Sequence, residues 1–145
     1  MDIIPTNTKY TYSIFRQNIY TLLNHYPFLN VQTVGHSVLG KNIYVIKLGN
    51  GPNSVFYSGS IHANEWITSV ILMKFIQDYC DSYLTNSSLY GYNVRELFRA
   101  SSIYIMPMVN PDGVILIFTG IFFFVLIILL IQLLLVYNHL YNLIY

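Results

Sequence analysis

The chain has 145 residues and a formal net charge of +1, enough for one domain with a real core and too short for two. Near-neutrality without a basic run or stripe excludes an electrostatic surface for nucleic acid, so none is expected among its partners. The single cysteine, Cys80, excludes an intramolecular disulfide and is expected to be a small buried hydrophobe in a helix.

The first residues contain no basic stretch leading into an apolar one, so no signal peptide is expected. Ile14, Ile19, Leu22, Leu23 and Tyr26 then recur at helical spacing, and Pro27 stops the pattern. Residues 31–34 read as a strand, 35–41 as a turn and 42–48 as a second, alternating strand, which together predict a hairpin. After the turn Gly49-Asn50-Gly51-Pro52-Asn53, residues 55–61 are short, apolar and rich in β-formers, as a buried sheet strand should be. Helical spacing resumes with Trp66, Val70, Met73, Phe75 and Ile76, and a shorter helix is predicted over 93–99. Residues 102–109 are again strand-like, closed by a turn at Asn110-Pro111-Asp112-Gly113. This order of helix, strands, helix and strand predicts an α/β domain.

The 7 basic and 6 acidic residues all lie at or before Asp112. The composition therefore divides the chain into a domain at 1–113 and an apolar tail at 114–145. Only Thr119, Gly120 and Gln132 interrupt the aliphatic and aromatic run of 114–137. At about 1.5 Å per residue that run exceeds the roughly 30 Å of a bilayer core, so a transmembrane helix is expected there. Arg95 and Arg99 on its N-terminal flank favour a cytoplasmic N-terminus. The abrupt onset of the tail, and its make-up of Ile, Leu, Phe, Tyr, Val and Asn, also fit a shifted reading frame in AT-rich DNA. A native tail predicts a membrane location with insertion through the tail; otherwise the expectation is cytoplasmic.

His62-Ala63-Asn64-Glu65 falls where the strand of 55–61 hands over to a helix, at the carboxyl end of a strand, where ligands gather in open α/β sheets. An imidazole and a carboxylate three residues apart can reach one ion, and the pair suits Zn²⁺. The bare spacing has a plainer reading as well: Glu65 as a first-turn carboxylate favoured by the helix dipole, and His62 as a hydrogen-bonded histidine at a strand end.

The surroundings resemble the zinc carboxypeptidase family. Residues 58–68, Ser-Gly-Ser-Ile-His-Ala-Asn-Glu-Trp-Ile-Thr, are similar to that family's first zinc-ligand motif. Val34-Gly35-His36-Ser37 and Gly40-Lys41-Asn42-Ile43-Tyr44-Val45 resemble the hairpin that precedes it, and Pro107-Met108-Val109-Asn110-Pro111-Asp112-Gly113 resembles its Asn-Pro-Asp-Gly turn. The resemblance implies the N-terminal part of a mixed-sheet carboxypeptidase fold, zinc as cofactor, His62 and Glu65 as metal ligands, and a peptide substrate. Asn64 stands where many carboxypeptidases have Arg, and His-Ala-Asn-Glu-Trp is similar to the bacterial branch that cleaves γ-D-glutamyl–diaminopimelate bonds in cell-wall peptides.

In the family, the third zinc ligand (a His), the catalytic Glu, the Arg and Asn-Arg substrate groups and a substrate-binding Tyr all follow the Asn-Pro-Asp-Gly turn. Here the only later histidine is His139, and no Glu or Arg follows Gly113. His25, His36 and Glu96 read as surface residues and supply no substitute. No catalytic residue is therefore assigned. The expectation is a truncated, inactive zinc metallopeptidase fragment, with a membrane-tethered, non-catalytic peptide-binding protein as the alternative.

Overall fold

The computed structural model describes residues 2–120 and 126–133. Helix α1, Tyr12–His25, begins where the Thr11 hydroxyl accepts the Ile14 amide, and Phe15, Ile19 and Leu22 form its buried face. Strands β1 (Asn30–His36) and β2 (Asn42–Leu48) form the expected antiparallel hairpin, with an irregularity between Thr33 and Gly35. Strand β3, Asn53–Ser58, follows. A single 3₁₀ turn at Ala63–Glu65 leads into helix α2, Ile67–Thr85.

A two-residue ribbon, β4 (Ser88–Leu89) with β5 (Tyr92–Asn93), precedes helix α3, Val94–Ala100. Nothing in the apolar pattern singled this ribbon out. Its turn is made by Tyr90 and Gly91, both at positive φ. Strand β6, Ser101–Met106, then runs into the segment that ends at helix α4, Pro111–Thr119.

Four strands form one mixed sheet in the order β1-β2-β6-β3, antiparallel except for the parallel pair β6 and β3. The late strand β6 thus inserts between two early ones. Ile46 and Leu48 of β2 sit opposite Ile105 and Ile103 of β6, and all four lie in one apolar core with Phe15, Met73 and Ile76. Cys80 belongs to that core as expected, and burial pushes its thiol up to about 12, with Asp81 adding to the effect.

Two expectations need correction. The strand expected to be buried over 55–61 ends at Ser58, and all its residues are exposed. Its one pairing partner among the described residues is β6, so it is an edge strand, and the apolar pattern that suggested burial lies on an open face. The transmembrane helix expected over 114–137 is not found among the described residues. Helix α4 stops at Thr119 because Gly120 takes the left-handed conformation, φ 74°. Residues 126–133 are helical, 121–125 and 134–137 lie outside the described residues, and no described helix is long and apolar enough to cross a membrane.

Residues at the start of the apolar tail pack on the domain. Val114 is fully buried, and the Phe118 ring lies 5.5 Å from that of Trp66.

Candidate metal centre

The carboxyl ends of the parallel strands β3 and β6 lie side by side, and both chains continue there as loops that bond to each other. Gly59 donates to the Met106 carbonyl, Val109 to that of Gly59, and Asn110 to that of Ser60, each at 3.0 Å. Gly59 is required by this closeness: a Cβ there would stand 2.8 Å from the Pro107 oxygen and 2.9 Å from Leu72.

His62 and Glu65 follow directly. The Glu65 amide donates to the His62 carbonyl at 3.0 Å, which closes the backbone between them into one turn. In such a 3₁₀ turn, residues three apart come onto the same side. Both side chains are exposed, and among the described residues neither is in a salt bridge. An imidazole and a carboxylate on one open turn are free to bind an ion. The plainer reading of Glu65 as a first-turn carboxylate applies to the 3₁₀ turn, whose first turn contains it, and not to α2, whose first turn has no acidic residue.

The turn is held by hydroxyls and by the start of α4. Thr68 Oγ1 accepts the Ser60 amide at 2.8 Å and donates to the Glu65 carbonyl at 2.7 Å. On the other side, Asn110 caps α4 by accepting the Gly113 amide at 2.9 Å, with Pro111 at the helix start. The expected Asn-Pro-Asp-Gly turn is therefore a helix start. A Cβ at Gly113 would come within 2.8 Å of the Ala63 Cβ, so glycine lets α4 close on the turn of His62 and Glu65. Asp112 reaches the β1–β2 turn, accepting from the Ser37 hydroxyl at 2.8 Å and the Leu39 amide at 3.0 Å. The three sequence motifs are thus one joined structure.

The other candidates stay apart. His25, at the end of α1, is exposed with its ring 4.8 Å from that of Tyr26; His36 and Glu96 are exposed on β1 and α3. Among the described residues no group of three or more His, Cys, Asp or Glu could hold a metal ion. In donor chemistry His62 and Glu65 suit zinc, but as two ligands where a catalytic site uses three. The open apolar groove along α2, lined by Tyr57, Ile67, Ile71, Phe75 and Tyr90, contains neither His62 nor Glu65.

Sequence reasoning passed over Ser60, Thr68, Ser69 and Asp112 as functional residues. The signal for two of them was the hydroxyl pair in the first turn of α2, where such side chains bond to nearby backbone.

Residues 15–123 match the profile of the zinc carboxypeptidase family. The chain is 40% identical over 118 residues to γ-D-glutamyl-L-diamino acid endopeptidase 1 of Lysinibacillus sphaericus, covering 81% of this chain and 30% of that protein. It is 32% identical over 100 residues to a zinc carboxypeptidase of Saccharothrix mutabilis subsp. capreolus, covering 65% of this chain and 22% of the relative. The crystal structure of thrombin-activatable fibrinolysis inhibitor superposes with a TM-score of 0.66 at 21% identity, covering 79% of this chain and 29% of the other, a likeness of fold. The chain spans less than a third of the length of each of these proteins.

Proposed function

Because the chain belongs to the zinc carboxypeptidase family, we propose that His62 and Glu65 are two protein ligands of a zinc ion in a peptidase-type site. The observation that supports this reading best is the pair itself: two exposed donors suited to zinc, free of ion pairs among the described residues, on one hydrogen-bonded turn at the carboxyl end of β3. A bound zinc ion would supply Lewis acidity toward a scissile carbonyl. This chain's own residues would present the ion and hold the turn rigid. The substrate class is a peptide, and the likeness to a γ-D-glutamyl-L-diamino acid endopeptidase favours a cell-wall peptide.

No Glu or Arg follows Gly113, and among the described residues no third metal-binding side chain joins the pair, so this chain by itself is expected to be catalytically incomplete. Calorimetric titration with Zn²⁺ should show weak binding that His62→Ala removes; binding indifferent to that substitution would overturn the ligand assignment. Hydrolysis of a γ-D-glutamyl–diaminopimelate peptide should not exceed the solvent rate. A zinc-dependent rate lost in His62→Ala would overturn the incompleteness instead.

A second reading, a membrane-tethered, non-catalytic peptide-binding protein, is favoured by one observation. Leu126, Ile127, Leu129, Leu130 and Leu133 are exposed on the helical residues 126–133. It predicts co-flotation with lipid vesicles, and a protein left wholly in the aqueous fraction would remove it.

A further inference from the structure

Ser60 and Ser69 are buried hydroxyls, 1% and 0% exposed, that the ligand assignment does not use. Their oxygens lie 2.6 Å apart, and Ser69 Oγ donates to the Pro107 carbonyl at 2.5 Å. A hydroxyl has one hydrogen to give. Ser69 spends its hydrogen on Pro107, so the short contact is Ser60 donating to Ser69; the Glu65 carbonyl, 3.4 Å from Ser60 Oγ, is the longer alternative.

Ser60 also has φ 49°, a left-handed backbone conformation that a serine adopts only when its surroundings impose it. Its amide, carbonyl and hydroxyl are all bonded: to Thr68, to Asn110 and to Ser69. The reversal occurs two residues before His62 and sets the direction in which the turn leaves the sheet. Alanine at position 60 would keep the two backbone bonds and lose the hydroxyl bond to Ser69. Among the described residues, the hydroxyls of Ser69, Ser60 and Thr68 bond only to one another, to the backbone of residues 60 and 65, and to Pro107 of the adjoining loop.

We infer that Ser69 is a positioning residue for the metal-ligand turn, locking Ser60 in its left-handed conformation through the relay Ser60–Ser69–Pro107 so that His62 and Glu65 are presented together. The inference rests on the reading of those two residues as zinc ligands, yet the order of the turn can be measured without metal.

Ser69→Ala and Thr68→Val, each close in size to the original, test it on the full chain by Zn²⁺ titration and amide hydrogen exchange. Ser69→Ala should weaken Zn²⁺ binding about 10-fold, as loss of a group that orients a ligand does. It should also speed exchange at Glu65 and Asn110 while the β2–β6 amides stay protected. Thr68→Val should act in the same direction. If the unaltered chain binds no zinc, the ligand assignment fails, and exchange alone decides: faster exchange confined to the turn sustains the positioning role. Unchanged exchange and affinity in Ser69→Ala would overturn it. So would loss of protection throughout the chain in both variants, because the hydroxyls would then hold the fold and not the turn.

Discussion

Strands β3 and β6 run parallel and pair residue for residue, Val55 with Ile103 and Tyr57 with Ile105. Paired residues point to the same face of a sheet, yet Ile103 and Ile105 are 9% and 0% exposed while Val55 and Tyr57 are 45% and 50% exposed. The two strands are alike in length and β-forming character; they differ in their neighbours. Strand β6 has a partner on each side, whereas among the described residues β3 has one. A strand's own sequence makes it suited to burial, and the elements around it decide whether burial happens. The same difference separates the halves of the candidate site: the Ser60 and Ser69 hydroxyls are buried and bonded, while His62 and Glu65 stand exposed.

The largest test of this contrast is truncation in the buried strand. Ile105→Ala should cost about 2–5 kcal/mol, measured by urea unfolding, because a fully buried side chain leaves a cavity. A loss below about 1 kcal/mol would mean that β6 is not the centre of the core.

The buried side should also fail at high pH. The Cys80 thiol is raised from its ordinary 9.0 to about 12 and the Tyr79 phenol from 10.0 to about 12, chiefly by burial; Tyr10 and Tyr26 are raised for the same reason. Above pH 9 the unfolded chain loses these protons and the folded chain keeps them. Stability is then complete below about pH 9 and declines as the pH climbs toward 12. The urea midpoint should fall between pH 8 and pH 11, and a flat profile would break the prediction.

At the joined carboxyl ends, Asp112→Ala removes the acceptor for Ser37 and Leu39 and should cost about 1–3 kcal/mol. Amide exchange should rise in the β1–β2 turn, with β6 unaffected; exchange that rises equally in β6 would show the link to be global. The smallest effect belongs to the exposed strand. Val55→Ala should change stability by no more than about 0.5 kcal/mol. A loss near that of Ile105→Ala would mean that β3 is covered in solution, and the contrast between the two strands would collapse.

Much of the local structure was legible in the chain. The helical face of Ile19 and Leu22 and the alternation across 42–48 come from periods of 3.6 and 2.0 that side-chain geometry imposes. The His62–Glu65 pair stood out in the sequence because the motifs that flank it accompany it. Asn110-Pro111 was misread as a turn although it has the two features that start a helix, a capping side chain and a proline at the first helical position. The end of α4 at Gly120 was hidden for a different reason: hydropathy sums along a window and takes no account of one residue's φ.

What the sequence determined by itself is therefore local and chemical. It set the element types, the imidazole and carboxylate three residues apart, and the mismatch between that pair and the absence of later Glu or Arg. The tertiary structure decided relations between distant residues. It placed β6 between β2 and β3, left β3 open, buried Val114 beyond the last charged residue, and brought Ser69 onto Pro107 so that the loop of one strand braces the other. These contacts join positions far apart in the chain, and a hydroxyl's partner depends on which backbone the fold brings within hydrogen-bond reach. No periodicity along the sequence records that distance.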